Sequence, residues 1–176
     1  KYQQSGTRTH LGAGLVSYRP VRSGTGTGNI RIIPLGGLGE VGRNMMLLEA
    51  QGKILICDMG FRMPEEDMPG IDYLIPNVEY LKPRRKNIRG IVITHGHYDH
   101  IGAIPHLLDA LGNPPIYATA LTRGVIMKRQ EDFSHLKRPE IEVITPESRV
   151  QLGVFGVEFF HVNHNIFDTV GVAVHT

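Results

Sequence analysis

Three histidines and one carboxylate fall within six consecutive positions, His95-Gly96-His97-Tyr98-Asp99-His100, directly behind the apolar run Ile91-Val92-Ile93. The apolar run reads as a buried strand that delivers the polar cluster into the loop at its end. Imidazole nitrogen and carboxylate oxygen are the ligands taken by Zn²⁺ and similar borderline metals. His95 and His97 are two apart, so an extended loop projects both rings to the same side. Asp99 and His100 follow where a helix begins, which turns them toward a second point close by. The pattern suits two adjacent metal ions better than one, and a pair of such sites makes a hydrolytic centre. Two rival readings are ordinary surface histidines in a turn and a single structural zinc. Closed structural sites are usually cysteine-rich, and Cys57 is the only cysteine here.

The 176-residue chain, 41% apolar and 20% charged, can bury the core of one ordinary domain, or of a piece of a larger one. No segment approaches the run of about eighteen apolar residues that a membrane span needs, and no secretory leader pattern is present. A lone cysteine excludes an internal disulfide and fits a reducing cytosol, so a cytoplasmic location is expected. The net charge of +2 conceals an asymmetry. Residues 1–31 contain Lys1, Arg8, Arg19, Arg22 and Arg31 and no acid, leaving 14 basic against 17 acidic residues in the remainder. With Ser23-Gly24-Thr25-Gly26-Thr27-Gly28, residues 1–29 read as a flexible cationic extension. Such a tail attracts polyanions without sequence preference, or merely solubilises.

Order is expected from residue 30 to 176. Ile30–Ile33 reads as a strand ended by the turn Gly36-Gly37-Leu38-Gly39. Met45–Glu49 and Lys53–Asp58 flank Gln51-Gly52 as a hairpin. A loop follows over 60–73, then a helical turn at Val78–Leu81 and a buried strand over Ile88–Ile93. Ile101, Ile104, Leu107, Leu108 and Leu111 recur at helical spacing, predicting a helix over Asp99–Leu111. Pro105 must kink that helix or mark its real start. Ile116–Ala118, Ile141–Ile144, Val154–Phe160 and Val170–Val174 read as strands, and Ala120–Arg129 as a second helix. Strands early and late with helices between predict an α/β fold with a mixed sheet.

The segment His95–His100 fits His-x-His-x-Asp-His, and the chain resembles the metallo-β-lactamase superfamily that this motif defines. More closely it is similar to the ribonuclease J family, its β-CASP branch. The similar segments are Ile33–Asn44, which contains Gly36-Gly37-Leu38-Gly39-Glu40-Val41-Gly42, then Asp58–Phe61, Pro64–Asp72, Thr94–Pro105 and Val162-Asn163-His164. The resemblance implies the first half of an αββα sandwich, a mixed β-sheet with flanking helices. It implies that His95, His97 and His164 hold one Zn²⁺ and that Asp99 and His100 hold a second and share in catalysis. Mn²⁺ or Mg²⁺ are alternatives to zinc. Asp58 matches the acid that braces the metal-binding loop, the support that ligand imidazoles generally require. His161 competes with His164 for the third position but does not match the family. After His164 the family has Ser-Ile-Pro-Asp, where this chain has Asn165-Ile166-Phe167-Asp168.

The implied activity is endonucleolytic and 5′-to-3′ exonucleolytic RNA hydrolysis, by a hydroxide held between two Zn²⁺ ions. RNA is the implied partner, with no membrane, and a homodimer or homotetramer the implied assembly. The family's bridging aspartate and β-CASP insertion are expected beyond Thr176, which makes this chain the N-terminal part of a catalytic domain. Hydrolysis of a small thioester, lactone or lactam is the alternative activity. A catalytically incomplete RNA-binding fragment is the non-enzymatic one. Lys82, Arg84, Arg85, Lys86 and Arg89 form a basic run ahead of the metal strand that offers contacts to RNA phosphate, or a plain solvated turn. Gly36, Gly37 and Gly39 lack the partners of a nucleotide-binding loop, and are read as a turn that lets the backbone pass close to the metal centre.

Overall fold

The computed structural model describes residues 29–176, so the expected extension lies, Asn29 apart, outside the described residues. Strand β1 (Arg31–Gly36) pairs antiparallel with β2 (Met45–Ala50). The Gln51-Gly52 turn returns β2 onto β3 (Lys53–Cys57). From β3 onward the sheet is parallel, through β4 (Ile88–Val92), β5 (Ile116–Ala118) and β6 (Ile141–Val143), giving six strands in chain order. Parallel neighbours need crossovers, and helices supply two of the three. A second, antiparallel sheet contains β7 (Arg149–Leu152), β8 (Phe155–His161) and β9 (Val170–His175).

Strand alternation sorts side chains between two cores. Ile54, Ile56, Ile91 and Ile93 point to the helical side, with Ile101, Ile104, Leu107 and Ile126. Their neighbours Leu55 and Val92 point the other way, into a core shared with Val150, Phe155, Val157 and Phe159 of the second sheet. Both faces of β4 are therefore covered, which is why Ile91-Val92-Ile93 is continuously apolar rather than alternating. Each such side chain contributes about 1.5–3 kcal/mol by leaving water. The layers run helices, mixed sheet, antiparallel sheet, in agreement with the expected α/β sandwich.

Three expectations need correction. The helix expected over Asp99–Leu111 is two short ones, α1 (Tyr98–Ile101) and α2 (Ile104–Leu107). Pro105 sits in the first turn of α2, where its missing N–H leaves no bond broken. The break also frees the Ala103 N–H to donate to the Met59 carbonyl at 3.0 Å. The expected second helix is present as α3 (Ala120–Gln130). Strand β7 was not foreseen, because its apolar residues are only Val150 and Leu152, between outward Arg149 and Gln151. The basic run, read as a loop offering contacts to RNA phosphate or as a plain solvated turn, coils into a 3-10 helix over Lys82–Asn87.

Candidate metal centre

Strand β4 ends at Val92, and its chain continues through Thr94 to His95 and His97 before α1 begins. Strand β3 ends beside it, with Asp58 just past its last residue; the Asp58 N–H donates to the Val92 carbonyl at 2.9 Å. This puts the Asp58 carboxylate under the histidine loop. Its Oδ1 accepts the Thr94 N–H at 2.8 Å, and its Oδ2 lies 2.8 Å from His100 Nδ1. A carboxylate only accepts, so His100 Nδ1 carries the proton and Nε2 holds the free lone pair. The Thr94 hydroxyl donates to the same carboxylate at 3.0 Å and lies 2.9 Å from His95 Nδ1. Its single proton spent on Asp58, it accepts the His95 Nδ1–H, which leaves His95 Nε2 free as well. One buried aspartate thus sets the tautomer of two imidazoles.

The free nitrogens converge. His95 Nε2 is 3.0 Å from His97 Nδ1. His164, in the loop between β8 and β9, completes the group, and the ligand atoms of His95, His97 and His164 all lie within 4.8 Å of one another. His161, at the end of β8, turns instead to Asn163 at 3.1 Å. Burial and the neighbouring His100 push the His95 pKa down to about 4, which keeps the imidazole in the neutral form that a metal takes. Burial pulls His100 the same way, but its hydrogen bond to Asp58 and the charges of Asp58 and Asp99 hold it above the ordinary histidine value. His100 Nε2 lies 3.3 Å from Asp99 Oδ2. The chemistry of this donor set fits divalent metal: three imidazole nitrogens in one cluster, and a nitrogen with a carboxylate oxygen beside it.

Two further side chains belong here. Asn44 sits where β2 begins and donates its amide to the Asp99 carbonyl and to Asp99 Oδ2, both at 3.1 Å. Asp168 lies on the His164 loop with a left-handed φ of 67° and accepts the Leu121 N–H of α3 at 3.3 Å. Neither stands out in the sequence, because each acts across tens of residues; Asn44 closes the family-like segment Ile33–Asn44, whereas Asp168 lies where the chain departs from the family.

The docking of these loops depends on close backbone approach. A Cβ on Gly60 would lie 1.5 Å from the Asp99 carbonyl oxygen, so only glycine lets the β3 loop pass under α1. The neighbouring backbone is laced together accordingly, Met59 N–H to His100 O at 2.7 Å and Phe61 N–H to Tyr98 O at 3.2 Å. The glycine turn after β1 packs at Gly37 against Asn44, whose amide reaches Asp99. Its Gly37 N–H donates to Glu40, whose carboxylate also bridges Arg43 and Arg62. The Arg43 hydrogen bond, helped by that of Gly37, holds Glu40 below the usual carboxylate range.

A cleft of roughly 650 Å³ opens beside His97 and Asp99, walled by Val41, Phe61, Met63 and Tyr98 with Arg62 at its rim. The Arg129 guanidinium of α3 lies 5.2 Å from the Phe61 ring and 5.0 Å from the Tyr98 ring, bracing the two together. The basic run stands elsewhere. Lys82, Arg84, Arg85 and Lys86 precede β4 and Arg89 lies near its start, whereas the histidines follow its end, a strand length away. Lys82 pairs with Glu79, Arg84 covers the Tyr80 ring at 4.1 Å, and Arg89 packs against Gly153.

Comparison with known proteins identifies the family. Residues 38–174 match the model of the metallo-beta-lactamase superfamily. The ribonuclease J of Thermus thermophilus is 40% identical over 156 residues, covering 84% of this chain and 27% of that protein. The ribonuclease J of Synechocystis is 38% identical, covering 86% of this chain and 24% of that protein. The chain therefore spans about a quarter of the length of these relatives. Among solved structures, a protein of Enterococcus faecalis superposes with a TM-score of 0.66 at 17% identity, over 84% of this chain and 41% of that one, which is a likeness of fold. No helix of the described residues is long and apolar enough to cross a membrane.

Proposed function

Because this chain belongs to the metallo-β-lactamase superfamily, we propose that it carries the histidine half of a metal-dependent ribonuclease that hydrolyses phosphodiester bonds in RNA processing and decay. The observation that carries the reading is the convergence of His95, His97 and His164, with Asp99 and His100 alongside. His95, His97 and His164 would hold one divalent ion, and Asp99 and His100 a second. Zinc is the proposed metal for imidazole-rich ligands, with Mn²⁺ or Mg²⁺ as alternatives. Such ions supply Lewis acidity toward a phosphoryl oxygen and lower the pKa of a coordinated water to roughly 7.

The remaining work falls to the chain's own side chains. Asp58 and Thr94 keep the His95 and His100 lone pairs facing the reaction space. The cleft beside His97 and Asp99 admits substrate next to the ligands, and its apolar walls exclude water from one side. RNA as substrate is supported by the ribonuclease J relatives. The reading extends to endonucleolytic and 5′-to-3′ exonucleolytic cutting in the cytoplasm by a dimer or tetramer. The basic run at the far end of β4 would meet RNA well away from the cut.

The apolar walls Val41, Phe61 and Met63 favour one second reading, hydrolysis of a small acyl compound such as a thioester, lactone or lactam. The deciding experiment supplies Zn²⁺ or Mn²⁺ to the full-length protein with 5′-monophosphorylated RNA, and in parallel with a thioester. Cleavage of RNA that is abolished by His97→Ala is expected. RNA left intact, or cut equally well by His97→Ala, would end the ribonuclease reading.

A further inference from the structure

We infer that Asn44 is the positioning residue of the second metal pair, Asp99 and His100. The inference rests on the two-ion reading above. The Asn44 backbone is pinned on both sides: its N–H donates to the Asp99 carbonyl at 3.0 Å, and its own carbonyl accepts the Gly60 N–H at 2.9 Å. The side chain turns back toward the same residue and its neighbour. Its Nδ2 reaches the Asp99 carbonyl and Asp99 Oδ2 at 3.1 Å each and stands 3.2 Å from His100 Nε2. With His100 neutral all three neighbours are acceptors, because Asp58 holds the His100 proton on Nδ1. Turned the other way, the amide would set its oxygen against the Asp99 carboxylate, acceptor against acceptor, so the orientation is fixed by chemistry as well as by space.

The glycine turn closes the back of this arrangement. A Cβ on Gly37 would come within 2.5 Å of Asn44 Oδ1, so the amide lies flat against bare backbone. The result is a set distance between two prospective ligand atoms, His100 Nε2 and Asp99 Oδ2, 3.3 Å apart. The two atoms stand close enough together that Asp99 and His100 would serve one divalent ion as a pair. In the neutral form of His100 that a metal takes, this lone-pair nitrogen and the carboxylate oxygen repel at that distance unless a donor or a cation stands between them. Asn44 is that donor, and being an amide it adds no charge of its own.

The test uses full-length protein, stripped of metal and titrated with Zn²⁺ by calorimetry, beside Asn44→Ala, Asn44→Ser and Gly37→Ala. Gly37→Ala displaces the amide without removing it, and guards against a collapse peculiar to position 44. The native protein is expected to take two ions per chain. Asn44→Ala and Gly37→Ala should weaken one of them 10- to 100-fold, leaving the other within about twofold, the margin expected of a ligand set they do not touch. Asn44→Ser, which keeps a donor, should recover part of the loss. Melting of the metal-free proteins separates positioning from folding. A melting temperature that falls while both affinities hold, or both affinities falling together, would overturn the inference. Two ions bound unchanged by Asn44→Ala would overturn it too while sparing the two-ion reading. A native protein that takes a single ion would sink that reading, and the inference with it.

Discussion

Asp58 and His100, 42 positions apart in the chain, meet at 2.8 Å, and the same carboxylate reaches His95 through the Thr94 hydroxyl. The contact exists because β3 and β4 are parallel neighbours, so their C-terminal ends arrive side by side. Asp58 holds a left-handed φ of 60°, which swings its side chain under the loop instead of along the strand.

Asp58→Asn tests what that contact does. The new amide would present an N–H to His100 Nδ1 and force the proton to Nε2, removing the lone pair that faces Asp99. Ring-nitrogen NMR of His100 should show the opposite tautomer, and affinity for the second ion should fall 10- to 100-fold. An unchanged tautomer would rule the relay out.

The metal-free chain should lose stability as pH falls. His95 in the fold has its pKa near 4, against about 6.5 unfolded, so the unfolded chain binds the extra proton between those values. Its contribution is complete above pH about 6.5 and fades toward pH 4. His100 runs oppositely: its raised value stabilises below about 6.5 and is lost as pH rises through the folded value. Urea midpoints of native and His95→Gln proteins should therefore diverge above pH 4 and converge on acidification. Parallel curves would contradict the assignment.

Gly60→Ala and Gly124→Ala should differ in sign. The first drives a methyl into the Asp99 carbonyl and should cost about 3 kcal/mol or more. The second adds a methyl in open space inside α3 and should stabilise by about 0.5–1 kcal/mol. Thermal or urea unfolding reads both.

Asp168 clips the His164 loop to α3. Asp168→Ala should cost about 0.5–2 kcal/mol, the usual loss of a helix cap, and also weaken the His164 ion site. Asp168→Asn, which accepts the same bond and tolerates a left-handed φ, should retain most of both. Calorimetric titration of the two variants decides it, and equal behaviour would show that the clip is idle.

The histidine cluster could be read early because its ligands are local and an apolar strand announces them. His164 depended on resemblance, since nothing between positions 101 and 163 fixes where the chain returns. Thr94 and Asn44 carry no local signal; each is one ordinary polar residue until parallel pairing and a glycine turn bring it to the loop. The run expected as one helix after Asp99 breaks where Pro105 was expected to kink it or mark its real start, but the partner of the freed N–H was not legible. Its periodicity describes the buried face correctly, but the Ala103 N–H is taken by Met59, a tertiary bond that spacing does not encode. Strand β7 escaped because four residues with two inward side chains give too little alternation to detect.

His95 and His97 hang from the mixed sheet and His164 from the antiparallel one, with the Val170 N–H reaching the Thr94 carbonyl at 3.0 Å beneath them. An ion gripped by all three would rivet one sheet to the other. Grip and sandwich closure then become one equilibrium, since whatever binds only the closed form holds it shut. A cavity at Phe155, deep in the seam between the sheets, would loosen the rivet without touching it. Chelation, in turn, should quicken hydrogen exchange along β8, far from any histidine.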